Sequence, residues 1–318
     1  ALRERGACVV GQEILGTCAL RDLAGKTDWP VTWTEGAGCG ESPLAGSHVF
    51  AVAGAPVETI RLDGRPVGRM FTDDLGRHVL LGDILPTDPS QARPRQARQV
   101  FERLEAALRV AGMNWANIVR TWFFLDRILD WYNDFNAVRT EFYRQRGMIE
   151  RTLPASTGIG ARNPAGAALV AGAWAWQPAG KECVLQEVPS PLQGPASSYG
   201  SSFTRAAELV SPGLRRVFVS GTASIAHDGH TEYPGSLKNQ VELTMRVVRA
   251  ILQTRGLDFC DVTRATAYVK RRGFAPVFDA WREARGLAQW PVITARADIC
   301  REDLLFEIEL DALGRTTT

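Results

Sequence analysis

The sequence predicts an α+β fold made of two tandem copies of one small domain, each a mixed sheet carrying two helices on one face. Three observations lead there: an internal repeat, the order of apolar patterns within each copy, and a length that suits two cores. The repeat comes first. The segment AGMNWANIVRTWFFLDRILDWYNDFNAVRTEFYRQRG returns later as RGLDFCDVTRATAYVKRRGFAPVFDAWREARG. Gly112 pairs with Gly256, Asn117 with Asp261, Arg120 with Arg264 and Phe124 with Tyr268, all 144 positions apart. Phe135 with Phe278 and Arg139 with Arg282 are 143 apart, so the register slips by a single residue. A duplicated unit makes any difference between its copies informative, because a chemical group retained in one copy alone marks a place where the copies no longer do the same thing.

Within each copy the elements follow in one order. Buried strands come first, GRHVLLGDILP and LRRVFVSGTASI, rich in apolar and β-branched residues and bounded by glycine. A helix is next: Val100, Phe101, Leu104, Ala107, Leu108 and Ala111 form one apolar stripe, and Val241, Met245, Val248 and Leu252 form its counterpart. Gly112 and Gly256 are expected to stop these helices. The strands NIVRTWFFL and DVTRATAYV follow, then helices around DWYNDFNAVRTEFYRQ and APVFDAWREAR. Each copy closes with a proline-led strand and an apolar one, LPASTGIG and ALVAGAWAW, then WPVITARAD and LLFEIELDAL. The predicted order is β-β-α-β-α-β-β. About ninety residues before the first helix, with strands at SHVFAVAGA and ETIRLDG, are expected to elaborate the first domain. The Pro-, Gly- and Ser-bearing stretch from Gln177 to Ser198 is the expected connection, giving domains at 1–180 and 181–318.

Composition narrows the function classes. With 318 residues, 45% hydrophobic and 23% charged, the chain suits a globular protein of two domains. A net charge of +2, with basic residues dispersed, gives no footprint for nucleic acid. No apolar run approaches the roughly 18–20 residues that span a bilayer, so no membrane partner is expected. The N-terminus has no apolar signal-like segment. Six cysteines without a CxxC or CxxH pair favour reduced thiols in a cytoplasm over a disulfide frame or a zinc site. His227 and His230 have metal-like spacing, but Asp228 and Gly229 make that segment a hairpin tip without a third ligand. GAGCGES, around Cys39, lacks the lysine and helix of a phosphate loop.

The strand ending in SG, the helix ending in Gly, the D-V-x-R pattern and the closing EIE resemble the YjgF-like reactive-intermediate deaminase fold, most clearly in FVSGTAS, RGLDFCDVTRATAYV and FEIELDAL. Two copies in one chain, with LPASTGIG in the first and SGTASI plus ADICREDLLFEIEL in the second, resemble the chorismatases more closely, over roughly residues 75 to 313. These enzymes convert chorismate to pyruvate and a ring product that serves secondary metabolism. The resemblance implies a small-molecule substrate, no metal or organic cofactor, and an acid at the first glutamate of EIE.

That glutamate is Glu307. Sixteen residues after the proline of each closing strand, Pro291 leads to Glu307 whereas Pro154 leads to Val170. Leu305, Glu307 and Glu309 share one strand face. On the strand pattern alone both glutamates read as solvent-facing at a sheet edge; the asymmetry and the resemblance single out Glu307 and leave Glu309 in solvent. Chorismate's two carboxylates call for guanidinium groups. Arg139 and Arg282, at equivalent places on the second helices, are expected to meet in a shared cleft, with Tyr132 and Tyr199 adding hydroxyls and Arg296 and Arg146 in lesser roles. Cys300, seven residues before the acid, resembles the cysteine of the hydroxybenzoate-forming branch. Ala223 stands where that branch is expected to carry glycine.

The expected activity is therefore chorismate conversion to pyruvate and a hydroxybenzoate, 3-hydroxybenzoate favoured, by protonation of the enolpyruvyl group. A dihydroxycyclohexadiene carboxylate or 4-hydroxybenzoate is the alternative product. The rivals are an imine deaminase, whose PARS-type arginine is replaced here in PAST and PVIT, and a non-enzymatic tandem binding module. A monomer or small homo-oligomer is expected.

Overall fold

The computed structural model describes residues 2–316 apart from 37, 40 and 41, together with all side chains in that span except those of Arg3 and Tyr199. Two six-stranded mixed sheets of identical topology carry the repeat. In the first, β4 (Val57–Leu62), β5 (Arg65–Asp73) and β6 (Gly76–Ile84) precede helix α1 (Arg93–Val110). Then come β7 (Ile118–Leu125), helix α2 (Tyr132–Gln145), β8 (Ala155–Gly160) and β9 (Leu169–Pro178), in the spatial order β4-β5-β6-β9-β7-β8. In the second, β10 (Val184–Val188), β11 (Ala206–Ser211), β12 (Leu214–Ala223), α3 (Leu237–Gln253), β13 (Val262–Val269), α4 (Ala275–Glu283), β14 (Val292–Arg296) and β15 (Phe306–Gly314) repeat that order as β10-β11-β12-β15-β13-β14. Only the β7–β8 and β13–β14 pairings are parallel within these two sheets.

Each copy thus has three strands before its first helix, one more than the apolar patterns suggested. ETIRLDG is β4, a member of the repeat, and the connection from Gln177 to Ser198 contains β10, the edge strand of the second sheet. Short polar edge strands lack the long apolar run of a central strand, which is why composition read them as elaboration and linker. The true N-terminal addition is a separate three-stranded sheet of β1 (Ala7–Gly16), β2 (Val31–Glu35) and β3 (Leu44–Ala53).

The local signals hold. Val100, Phe101, Leu104, Ala107 and Leu108 are buried on α1, as are Val241, Met245, Val248 and Leu252 on α3. Gly112 and Gly256 take φ of 67° and 69°, and the next amide turns back to Leu108 or Leu252, closing each helix. Two residues on, Asn114 with Asn117 and Asp258 with Asp261 form the same reciprocal cap at the entry to β7 and β13. The repeat therefore extends to hydrogen bonds.

Alternation along the strands builds four layers. Phe123, Leu125, Ala171 and Ala173 face α1 and α2, while Ala267, Ile308 and Leu310 face α3 and α4. The opposite faces, with Trp122, Phe124 and Trp174 from one sheet and Leu209, Phe218 and Tyr268 from the other, pack together as a shared inner core. β8 lies against β12 along one seam, where Ser156 N donates to Ser220 Oγ at 2.9 Å and Thr204 N donates to Pro154 O at 3.2 Å.

Candidate functional site

Glu307 lies on β15, a central strand with β12 on one side and β13 on the other, not the edge strand that the strand pattern alone suggested. Its cross-strand neighbours are Ala223 and Tyr268. The carboxyl points into the inner layer at the β8–β12 seam and is 4% exposed. β12 bulges between Val219 and Thr222 beside it. A Cβ added at Gly221, inside that bulge, would stand 2.2 Å from Glu307 Oε1, so glycine is what leaves room for the acid. Burial, reinforced by the charge of Glu309 and opposed by Arg120, pushes the Glu307 carboxyl up to about 8. It is thus an acid that keeps its proton at neutral pH.

Glu307 lines a cavity of about 130 Å³ that both halves build, together with Tyr132 and Arg139 of α2, Ala223 of β12, and Cys300. Arg139 is 1% exposed, donates to Asn136 Oδ1 at 2.7 Å, and lies 5.4 and 5.5 Å from the ring centres of Phe135 and Phe203. No carboxylate among the described residues pairs with it, and its Nε has no protein acceptor. A cation so placed is costly unless an anion joins it. Arg205, also buried, enters from the second half, held by two bonds of 3.0 and 2.9 Å to Gly194 O, and Arg301 donates to Gly229 O at 2.6 Å. Three guanidiniums around one protonated acid favour a dianion. The Cys300 thiol is pushed up to about 12 by burial and by Glu307, against a smaller effect of Arg301, so it is not a thiolate nucleophile.

Below Glu307 lies a second carboxylate whose placement differs from expectation. Glu309 is fully buried rather than solvent-facing. It accepts from Arg120, from Trp122 Nε1 at 2.7 Å and Thr157 Oγ1 at 2.9 Å in the first half, and from Arg264 Nη2 at 2.7 Å in the second. Arg264 also reaches Glu13 of β1 at 3.1 Å. Burial alone would raise the Glu309 carboxyl, but Arg264 and Arg120 outweigh it and hold it low, so it stays ionised.

Several expected residues lie elsewhere. Arg282 does not meet Arg139: it pairs with Asp279 at 2.6 Å and stacks on Phe278. The seam that would have received it, along β14, is covered by β3, with Gly46 packed on Ile293. Arg296 lines a separate surface cavity with Arg127, Arg162 and Lys270. Arg146 pairs with Glu105 at 3.0 Å. The side chain of Tyr199 lies outside the described residues. Among the described residues no cluster could hold a metal, and His227 and His230 sit in the expected hairpin, closed by the Ile225–Thr231 bridge. All six cysteines are free.

The family model described as Endoribonuclease L-PSP matches residues 83–170, from the end of β6 to the start of β9. Two proteins named chorismatase, from Streptomyces rapamycinicus and Streptomyces hygroscopicus, are each 29% identical over 224 residues, covering 63% and 60% of this chain. The matched stretches span 65% and 60% of those relatives' length. A 3-hydroxybenzoate synthase of Streptomyces hygroscopicus is 28% identical over 276 residues, covering 77% of this chain and 76% of its own length. A chorismatase crystal structure superposes with a TM-score of 0.72 over 96% of this chain and 92% of that one, at 22% identity. The chain has the fold of that chorismatase and is similar in sequence to proteins of that name.

Seen as a chorismatase fold, the inner layer explains the asymmetry between the copies. Pairing aligns Val170 with Phe124 in the first sheet and Glu307 with Tyr268 in the second, so Val170 and Glu307 are true counterparts. By the same register Gly172 and Trp174 stand where the second copy carries Glu309 and Asp311. One strand of this chorismatase-like chain therefore carries three inward carboxyls and its twin carries none. Arg205 and Arg301 were missed by sequence reasoning because neither falls on an element of the repeat with an informative partner. The arginine pair 120/264 was visible as a repeat match, yet its shared target, Glu309, was not.

Proposed function

We propose that this chain is a chorismatase that converts chorismate to pyruvate and 3-hydroxybenzoate with Glu307 as the acid. The observation that carries the reading is a neutral, buried Glu307 facing an unpaired, buried Arg139 across a seam where the first copy has only Val170. Arg139 and Arg205 are suited to the two carboxylates, each through the planar fork of guanidinium. Glu307 then delivers its proton to the methylene carbon of the enolpyruvyl group, leaving an oxocarbenium ion and a carboxylate. The bond between the ring and the ether oxygen breaks with its electron pair staying on oxygen, and pyruvate departs. The neighbouring ring hydroxyl oxygen bonds to the carbon just vacated and gives its proton back to Glu307. Opening of that three-membered ring and loss of a ring hydrogen as a proton restore aromaticity, so the atoms balance without water. Ala223, the cross-strand neighbour of the acid, and Cys300 line the same cavity and are assigned to steering which bond the cation forms.

The test is incubation of the protein with chorismate, following pyruvate and identifying the ring product by chromatography and mass, beside Glu307→Gln. We expect pyruvate and 3-hydroxybenzoate in equal amounts, with kcat down by about 10²–10⁴-fold in the variant, the range for losing a general acid. Inert chorismate would overturn the reading. An Ala223→Gly variant is expected to change the proportion of ring products while pyruvate release continues, and an unchanged product profile would remove Ala223 from that role.

A further inference from the structure

The inner layer also opens into a cavity larger than the one that holds Glu307. This second cavity, of about 400 Å³, lies at the other end of the sheet-on-sheet interface and shares no lining residue with the first. Its volume falls within the roughly 300–1,000 Å³ of small-molecule sites. The walls are aromatic: Phe50 meets Trp174 edge-on at 5.7 Å, and Phe71 stacks on His78 at 4.8 Å and 14°. His78 is a fixed, neutral wall. Trp174 Nε1 can only donate, so it fills His78 Nδ1 at 3.3 Å, and His78 Nε2 then donates to Asp73 Oδ1 at 3.1 Å.

Two polar groups in this aromatic slot keep unused hydrogen-bonding capacity. Arg216, half-buried on β12, lies with its guanidinium 4.8 Å from the Trp174 ring centre and has no hydrogen bond or ion pair among the described residues. Stacking leaves the in-plane N–H edge of a guanidinium free to grip a carboxylate. Asp311, 5% exposed, has an Oδ1 without a donor, while its Oδ2 is 3.9 Å from Arg264. An anion acceptor and a hydroxyl acceptor thus sit at one aromatic slot.

We propose that this cavity is a second, non-catalytic binding site for a small planar aromatic acid bearing a ring hydroxyl. Its carboxylate is taken by Arg216, its ring lies among Phe50, Phe71 and Trp174, and its hydroxyl donates to Asp311 Oδ1. Burial lowers the Arg216 pKa and Asp311 and Asp73 counter this in part, in keeping with a cation that lacks a close counter-charge. The choice of probe, the expectation of a second event independent of Arg216 and the turnover control rest on the function proposed above.

The probe is 3-hydroxybenzoate, titrated calorimetrically into the full chain without chorismate. Two binding events are expected. Arg216→Gln should weaken one of them about tenfold or more, Arg216→Lys should weaken it less, and chorismate turnover should stay within about twofold in both. Arg139→Gln should spare the Arg216-dependent event. Cyclohexanecarboxylate, equal in charge but not planar, should fail to compete for it. A single event indifferent to Arg216→Gln, or an Arg216-dependent event that Arg139→Gln also removes, overturns the proposal. Nuclear Overhauser contacts from the probe's ring protons to the Leu209 methyls need no variant; they are expected, and their absence at saturation also overturns it. Inert chorismate with this site intact would sink the proposed reaction and leave the second site standing.

Discussion

At the scale of single residues, the properties of Glu307 follow from its neighbours. A glutamate with a carboxyl near 8 delivers protons below that pH and loses the ability above it, so kcat/KM for chorismate should fall as pH rises through about 8, with no matching loss between pH 5 and 7. A profile that falls through pH 4–5 instead would mean an acid with an ordinary carboxyl. Gly221 is needed because a methyl there would meet Glu307 Oε1 at 2.2 Å. Gly221→Ala should therefore displace the acid and lower kcat about tenfold or more while the melting temperature changes little, consistent with the rate cost of misplacing a reacting group by an ångström. Arg139→Gln removes a charge-assisted contact worth about 1.5–3 kcal/mol, so KM should rise roughly 10- to 150-fold with a smaller change in kcat. A fall in kcat matched by an equal fall in kcat/KM, with KM unchanged, would mean that Arg139 acts in the transition state instead.

At the scale of elements, β15 is where the two copies part company. Its inward row of Glu307, Glu309 and Asp311 replaces the Val170, Gly172 and Trp174 of β9, and the middle member is the common acceptor for Arg120 and Arg264. Removing it leaves two buried guanidiniums without their shared carboxylate, for which breaking a buried pair costs about 3–5 kcal/mol. Glu309→Gln should therefore lower thermal stability markedly. It should also shift the pH limit of activity toward acid, because a negative charge that favours the protonated Glu307 is gone while Arg120 remains. A destabilised variant with an unmoved pH limit would show that Glu309 is structural alone. Much of this element was legible. The repeat register exposed the difference between Glu307 and Val170, and helical spacing put Tyr132 and Arg139 on one face of α2, where both reach the cavity. The burial of Glu309 was not legible, because a strand in isolation does not reveal that a second sheet covers its polar face. Arg205 and Arg301 act from irregular segments with no periodicity to read. Arg282 obeys the repeat in sequence but not in space, since β3 of the N-terminal sheet occupies the seam that duplication would have left open on the second copy.

At the scale of the molecule, the two copies are joined through chemistry as well as through contact. The inner core draws on both sheets, and Glu309 of the second half takes donors from Arg120, Trp122 and Thr157 of the first. The N-terminal sheet adds Glu13 to the same cluster and His48, which lies 3.0 Å from Thr266 Oγ1. Opening the interface would strand charged groups from three sheets in one step, so neither copy has a low-cost way to unfold while its twin stays folded. Domains that share so large a buried polar and apolar interface are expected to melt together. Calorimetry of the whole chain should give one transition with matching calorimetric and van't Hoff enthalpies. Chorismate turnover and the near-ultraviolet signal of the tryptophans should be lost at the same temperature, since Trp122 and Trp174 lie in the shared layer. Two resolved transitions, or loss of turnover well before the tryptophan signal, would instead mean that the β8–β12 seam opens on its own, and that the site between the copies is held by the seam rather than by the buried cluster.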